Sequence, residues 1–493
     1  MSPRAHVVIV GGGISGLAAA HQLTGGATLA GGTTPTGGAR PRVTILERED
    51  RLGGKLGSTV LGGQPLDGAA DGVLARRPEA RRFVEDLGHA DLLRPVAASG
   101  ATVYARGRLR PLPADLQLGI PTSWRGLRRS GVLGPGALAR ALLDEVAPRR
   151  PAPLDHGDAS VGALVAAKLG RDVVSMLVDP MLGGIYAGRV SGLGAATVHP
   201  ALLPAASGRG SLMRALRTRA GAIPTGPSAP GPAFVSLVGG MHSLPGLVAD
   251  ELHRRGVEIV TGCEATALRP ADPTGAGWVV ETGDREFGAD GIIVCVPGGP
   301  AARLLRPVAP EAAERLEHIV YASVGVVTFA FPADRVRLPA TGTGVLVPAG
   351  VAHTHGSLRG QRWLTTALTF LDRKWPHVRQ PEQVLLRASV GRIDDERPAA
   401  MTDDELVGVV RTELDELLGA MPAPLHVSVT RWPASLPQYP VHHLDHIAAI
   451  RSDVVRFGTI ELAGAACGGV GVPACIGSGR DAADRLLTRL PPP

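Results

Sequence analysis

At 493 residues the chain is too long for one hydrophobic core, so two or three domains are expected. Hydrophobic residues make up 44 %, which marks a globular protein in which 66 glycines and 42 prolines reflect an Ala/Arg/Gly/Pro-rich composition rather than disorder. The net charge of +6 is spread over scattered Arg and Lys with no polybasic run or interleaved aromatics, which excludes a nucleic-acid footprint and leaves an attraction to anionic substrates or membrane surfaces open.

The N-terminus shows no basic n-region or signal-cleavage pattern, and no window offers about 18 uninterrupted apolar residues, so the expected location is the cytoplasm. Val7 to Val10 predict a buried strand that runs into Gly11-x-Gly13-x-x-Gly16 and then into a helix over LAAAHQL. In this turn Gly11 allows the tight bend, Gly13 lets the backbone approach a pyrophosphate, and Gly16 lets the helix pack on the strand. Gly12, Ile14 and Ser15 complete the turn, and the positive end of the helix faces the phosphates. Val43 to Leu46 predict a second strand ending in Glu47, the carboxylate expected to hold a ribose hydroxyl pair. Glu47 lies about 31 positions beyond Gly16, against about 20 in the usual unit. The low-complexity stretch 24–41 reads as the surface loop that lengthens the gap. Arg48 follows at once, and Arg51 to Lys55 supply a second glycine pair, Gly53-Gly54, for another close approach to the dinucleotide.

VVIVGGGISGLAAA together with E-R-x-x-R-L-G-G-K resembles the flavin-binding opening of the protoporphyrinogen oxidase, amine oxidase and phytoene desaturase superfamily. An NAD-type Rossmann dehydrogenase lacks the second glycine pair. The resemblance implies non-covalent FAD and an α/β fold: a discontinuous Rossmann-like FAD-binding domain with an α+β substrate domain and a helical lobe. Contacts to the cofactor are then implied for Gly11 to Gly16, Glu47, Arg48, Gly54 and Lys55. The family's G-P-D-S falls on Ala69, Ala70, Asp71 and Gly72, where only the aspartate is kept. A helix-capping or turn aspartate is the plain reading, beside contact with the flavin region.

Pro78 opens a helix whose Phe83, Val84 and Leu87 share a face and which Gly88 stops. Val103 to Pro113 predict a hairpin turning at Arg106-Gly107. The pattern from Thr122 to Ala187 is helical and predicts a separate lobe. DPMLGGIYAG, from Asp179, resembles the P-x-x-x-G-I-Y-A-G segment of porphyrinogen oxidases and makes Tyr186 a candidate substrate contact, although a helix end with a packed tyrosine explains it equally. Residues 221–232 read as a Pro/Gly linker. A turn at Gly239-Gly240, a helix ending near Arg255-Gly256 and a strand from Glu258 to Thr261 follow, and by resemblance a backbone contact to the adenine falls near Ala265. WVVET and ADGIIVCVPG read as a strand pair, the latter resembling the strand with which the family's chain rejoins the parallel sheet. Residues 301 to 445 predict a sheet-based substrate domain that ends in TRWPASLPQYPVHH, which resembles the family's R-W-x-x-x-x-P-Q-Y and places Trp432 close to the cofactor. The last segment reads as strand, glycine turn and helix from near Pro473. G-V-G-V-P-x-C-I-x-x-G-x-x-A-A resembles the family's C-terminal flavin segment. The amides of Gly471, Val472 and the helix start, with Pro473, would face the flavin's pyrimidine end, where a helix N-terminus stabilises negative charge.

The expected organisation is therefore FAD-binding segments at 1–75, 233–300 and 446–493, substrate-domain segments at 76–120, 201–232 and 301–445, and the helical lobe at 121–200. The cysteines, Cys263, Cys295, Cys467 and Cys475, lack CxxC spacing and suggest neither zinc nor disulfides. His353, His355, His442, His443 and His446 have no acidic or cysteine partner at ligand spacing, so no metal is expected.

The resemblance is nearest to porphyrinogen oxidases of the Gram-positive, coproporphyrinogen-oxidising type. It implies oxidation of the bridging methylenes of coproporphyrinogen III, with O2 as acceptor and H2O2 as product, in three rounds. No catalytic side chain is implied, the chemistry lying on the flavin, and GxSxG, HExxH and paired catalytic carboxylates are absent. The arginine that plant-type enzymes use on a propionate falls near Ala101, which weakens a protoporphyrinogen IX assignment. Arg106 and Arg108, with Arg110, are candidates for the substrate carboxylates, or are simply solvated hairpin charges. A flavin amine oxidase, a carotenoid desaturase and a non-catalytic flavoprotein scaffold remain as other readings, and peripheral membrane contact or a downstream haem-pathway partner stays open.

Overall fold

The computed structural model describes residues 4–26, 40–98, 100–146, 152, 154–221, 233–272 and 277–490. The expected loop at 24–41 and the linker at 221–232 lie almost wholly outside these residues. A five-stranded parallel sheet runs in the order Glu258–Val260, Arg42–Leu46, His6–Val10, Gly291–Val294, Ile460–Leu462. Val7, Val8 and Ile9 are fully buried, because both faces of the sheet are covered, which is why these strands read as continuous apolar runs.

On one face the first helix, Ile14–Leu23, packs against the C-terminal helix, Val472–Leu487. The two meet through glycine: a Cβ on Gly479 would overlap the Ser15 carbonyl, and one on Gly16 would overlap the Gly11 carbonyl. Helix Pro78–Asp86 joins them, as Phe83, Val84 and Leu87 enter the same core and the Arg480 guanidinium sits 5.0 Å over the Phe83 ring. The other face is covered by Gly298–Leu305, Pro310–Glu317 and His443–Val455, whose Ala301, Leu305, Ala313 and Ile450 pack against Val8, Leu46 and Val294.

Three expectations need correction. WVVET does not pair with GIIV but lies between Ala265–Pro270 and Glu286–Ala289 in an antiparallel sheet, while Gly291–Val294 rejoins the parallel sheet as its resemblance implied. The intervening strand EFGA is short and glycine-bearing, and leaves no alternation to detect. The expected limits at 76, 301 and 446 also cut through or beside helices that pack on the parallel sheet's own layers. Their apolar stripes find partners far away in sequence, which local periodicity does not carry. Finally, the helical core does not stop at 200, since Leu202, Ala205, Leu212 and Leu216 bury with Leu164, Leu177 and Leu182 in one cluster.

The substrate-side sheet has seven strands, ordered His426–Pro437, Tyr321–Pro332, Gln383–Val390, Thr365–Phe370, Gly344–Leu346, Thr102–Ala105, Arg108–Pro111. Helix Asp403–Leu418 backs it, started by a capping box between Thr402 and Glu405, and it buries Leu406, Val410 and Leu414 against Phe329, Phe331 and Phe370. The predicted hairpin is present. Arg106 and Gly107 both take positive φ, 55° and 73°, which suits the twist of a two-residue turn. No described helix is long and apolar enough to cross a membrane.

Candidate functional site

The glycine turn is assembled by backbone. Gly11 N–H donates to Leu46 O at 2.8 Å, and at φ 107° its missing Cβ would lie 2.9 Å from Val296 Cγ1. Gly12 N–H donates to Glu47 Oε2 at 2.7 Å and Glu49 N–H to Glu47 Oε1 at 2.9 Å, so the buried carboxylate is held by two amides at the strand's end. Gly13 caps the first helix without any side-chain bond, and a Cβ there would meet nothing within 4 Å. An open cradle thus lies at unpartnered helical amides. Gly53 N–H donates to Gly12 O at 2.9 Å, and Gly13 and Gly53 form an isolated parallel bridge. The second glycine pair therefore lies directly against the first turn. The Cys475 thiol donates to Gly469 O at 3.5 Å, tying the first turn of the C-terminal helix to the glycine turn before it.

Ile14 and Ser15 are buried in the first helical turn, and Ala265 starts the strand that follows Cys263, whose N–H donates to Glu47 O at 2.8 Å. Lys55 is half-buried and donates from Nζ to Ser435 O, loss of hydration pulling its pKa down. Arg48 is a different case. Its side chain is 58 % exposed and paired with the half-exposed Glu49 at 2.7 Å, so its charge lies at the surface.

At the other end, Trp432 Nε1–H donates to Gly68 O at 2.9 Å, tying the seven-stranded sheet to the 68–72 loop. Ala69 and Ala70 are half-buried there. Asp71 is neither a helix cap nor a turn residue: it bonds Lys374 at 2.9 Å and Arg387 at 2.7 Å. Burial works against its charge, but Arg387 and Lys374 hold the carboxyl down at about 2. Gly72 packs under Trp375, 2.5 Å from where its Cβ would be. Gly471 caps the C-terminal helix with no side-chain bond, Val472 is buried and Pro473, which carries no N–H, lies in the first turn, so the amides without a side-chain cap are those of Gly471, Val472 and the residues after the proline.

Beside this glycine turn stands an aromatic pair. Tyr186 meets Tyr439 edge-on at 5.7 Å, and Tyr439 Oη–H donates to Ala465 O at 2.7 Å, in the short helix just before the Gly469–Gly471 turn. Burial pushes the Tyr186 hydroxyl's pKa up, against the charges of Arg77 and Arg76. Burial and then Arg76 pull His199 down to about 4, and its Nε2 is buried without a partner. Arg76 and Arg77 are the residues the sequence reading missed. The signal was their place directly after the 69–72 loop. Arg106 and Arg108 are exposed at the hairpin on the outermost strand of the seven-stranded sheet, and Ala101 is half-buried at its base, its carbonyl accepting Leu112 N–H. Four of the five histidines His353, His355, His442, His443 and His446 have partners in the fold: His353 has Glu416 and Glu413, His442 has Asp155 and Asp445, His443 has the Ala466 carbonyl and His446 has the Arg315 carbonyl.

Residues 14–487 match the family described as flavin containing amine oxidoreductase. The chain belongs to that family. Its relatives include the coproporphyrinogen III oxidase of Mycobacterium leprae, 34 % identical over 497 residues and 99 % of both chains, and that of Bacillus subtilis, 29 % identical over 495 residues and 98 % of both. A solved structure from Exiguobacterium sp. 255-15, named as a protoporphyrinogen oxidase, superposes with a TM-score of 0.82 at 29 % identity over 99 % of both chains. Cyclohexylamine oxidase from Brevibacterium oxydans shares the fold, with a TM-score of 0.66 at 17 % identity over 99 % of this chain and 100 % of that one. For a flavin containing amine oxidoreductase the residues present fit FAD: an open cradle at Gly13, a carboxylate at the second strand's end, and uncapped helical amides at Gly471.

Proposed function

We propose that the chain is an oxygen-dependent FAD oxidase that converts coproporphyrinogen III to coproporphyrin III with release of H2O2. One juxtaposition carries this reading: the Tyr186–Tyr439 pair lies beside the glycine turn of the C-terminal flavin segment, where the charges of Arg76 and Arg77 also reach Tyr186. An aromatic wall suits a tetrapyrrole face, and cations suit its carboxylates. The name shared by the full-length curated relatives supports the same substrate class.

In this proposal the amides of Gly13, Ile14 and Ser15 hold the pyrophosphate, with Gly11, Gly12 and Gly16 giving the turn its shape. Glu47 accepts from the ribose, Ala265 offers backbone to the adenine, and Gly54, Lys55, the 69–72 loop and Trp432 surround the ring system. Arg48 contributes only its backbone. The bound flavin supplies the hydride acceptor. Gly471, Val472 and Pro473 present the helix start to the end where negative charge gathers on reduction. Tyr186 packs against the substrate, Arg76 and Arg77 hold propionates, and His199, neutral at pH 7, adds no charge to theirs. Arg106 and Arg108 remain outer carboxylate contacts. The proposed setting is the cytoplasm, with the porphyrin passed to a downstream haem-pathway enzyme.

The test supplies both porphyrinogens to the purified enzyme under air and follows porphyrin fluorescence. Coproporphyrinogen III, with four carboxylates against two, is expected to give the higher kcat/KM, and Arg77→Ala to raise its KM more than that of protoporphyrinogen IX. A higher kcat/KM for protoporphyrinogen IX would overturn the substrate assignment and place the chain with the protoporphyrinogen oxidases.

A further inference from the structure

We propose that Gln438 is the residue that positions Tyr186 for the substrate, holding the end of its helix in place beside the C-terminal flavin segment. The inference rests on the reading of Tyr186 as a wall against the tetrapyrrole face, and adds the group that sets where that wall stands.

The helix Asp179–Tyr186 ends in a conformation that needs outside support. Tyr186 is its last residue, and the carbonyls of a last helical turn find no N–H partner further along the helix. Ala187 follows at φ 49°, a left-handed backbone that a residue carrying a Cβ adopts only under constraint. Two distant segments supply that constraint. Gln438 Nε2 donates to Tyr186 O at 2.9 Å, and Ile393 N–H donates to Ala187 O at 2.8 Å.

The half-buried Gln438 side chain has one orientation open to it. Its Nε2 also donates to Leu436 O at 3.2 Å, and since both partners are carbonyls, which only accept, the NH2 end must face them. Oε1 then lies against Gly188, so close that a Cβ there would overlap it. The backbone is held as well, because Gln438 N–H donates to Val320 O at 2.9 Å. Gln438 is thus fixed at both ends, and its grip on Tyr186 is a rigid one.

Tyr439, the next residue, completes the joint. It is fully buried, its carbonyl accepts Gly194 N–H at 2.8 Å, and its hydroxyl donates to Ala465 O at 2.7 Å, just before the Gly469–Gly471 turn. Its ring meets Tyr186 edge-on at 5.7 Å. Such a ring contact is tolerant, because aromatic pairs are favourable over centroid distances of about 4.5–7 Å. A hydrogen bond is confined to a far narrower range of distance and angle. The bond from Gln438 is therefore what removes the latitude that the ring pair leaves to Tyr186.

The experiment uses the full chain with its flavin and reads binding without turnover, as quenching of coproporphyrin III fluorescence and, separately, of protoporphyrin IX fluorescence by the oxidised enzyme. KM and kcat per bound flavin are measured beside it. Gln438→Met keeps the length of the side chain and removes both N–H donors. Gly188→Ala displaces the same amide from the opposite side, and Gly188 does not take a positive φ, so alanine suits its backbone. Each variant should raise Kd and KM by about 5- to 10-fold while kcat per flavin stays within about 2-fold, because the wall holds ground state and transition state alike. A merely structural loss would lower Tm and flavin content and leave KM unchanged. Both porphyrins should weaken equally, since the wall meets the ring face they share and not the carboxylates that distinguish them. Tyr186→Leu should weaken binding too, and adding Gln438→Met to it should change Kd by less than about 2-fold, because Gln438 acts through that ring. Wild-type Kd in Gln438→Met and Gly188→Ala, with weakened binding in Tyr186→Leu, would overturn this proposal and leave the substrate reading intact. A double variant weaker than Tyr186→Leu by the full Gln438 factor would overturn it as well. Wild-type Kd in Tyr186→Leu would overturn the substrate wall itself, and this proposal with it.

Discussion

The dinucleotide end of the molecule and the sheet that faces it are held by different chemistry. Around Gly11–Gly16 and Gly53–Gly54 the contacts are amide to carbonyl, and several are short because a side chain is missing. Where the seven-stranded sheet meets the rest of the chain, buried charges make the joints: Asp71 with Lys374 and Arg387, Arg392 with Asp179, and His353 with Glu413 and Glu416. A backbone joint survives changes of chemistry but not added atoms. A charged joint tolerates added atoms but not the loss of one partner.

The largest effect should come from adding atoms to the backbone joint. Gly16→Val puts a side chain into the Gly11 carbonyl and is expected to destabilise the fold by at least ~3 kcal/mol, measured by urea unfolding. Gly13→Val adds atoms only to open space. It should leave the stability of the flavin-free protein within ~1 kcal/mol while abolishing flavin retention, read as flavin absorbance per mole of protein. Wild-type flavin content in that variant would show that the cradle is not the phosphate site.

Next in size is the charged joint. Asp71→Asn leaves Lys374 and Arg387 facing each other without their shared carboxylate, and should cost about 3–5 kcal/mol in the same assay. An Asp71→Asn protein as stable as wild type would mean that the loop is held by Trp432 and packing instead.

Acid should also separate the two regions. His21, fully buried beneath Phe83 at the back of the first helix, is pulled down to about 3 by burial and then by Arg255 and Arg480. Its folded value lies below its ordinary 6.5, so its stability contribution is whole above that pH and is lost as pH falls toward 3. His21→Leu should flatten the stability loss between pH 6.5 and 4 by ~1–3 kcal/mol. His353 has the opposite sign: burial lowers its pKa, but bonds to Glu413 and Glu416 win and raise it, so its contribution is whole at low pH and is lost as pH rises through the raised value. The smallest effect is expected at Arg48→Ala, under ~0.5 kcal/mol with flavin content unchanged, since its exposed pair with Glu49 is screened by solvent.

Sequence alone determined those parts of the protein whose geometry is local. The strand–glycine–helix opening, the position of Glu47, the Arg106-Gly107 hairpin and the uncapped helix start at Gly471 follow from spacing and from backbone conformations that few residues adopt, and all appear where the pattern put them. Tertiary structure decided what depends on partners hundreds of positions away. Asp71 reads as a turn residue until Lys374 and Arg387 arrive beside it, and Arg48 reads as a cofactor contact until its side chain is seen turned out to Glu49. Arg76 and Arg77 look like ordinary surface charges until the 179–186 helix brings Tyr186 within their field. Likewise the helices at 78–86, 298–317 and 443–455 join the parallel sheet's layers because their apolar stripes meet there. Periodicity along a chain reports which face of an element is apolar, but the surface that covers that face is chosen only when the whole chain has closed on itself.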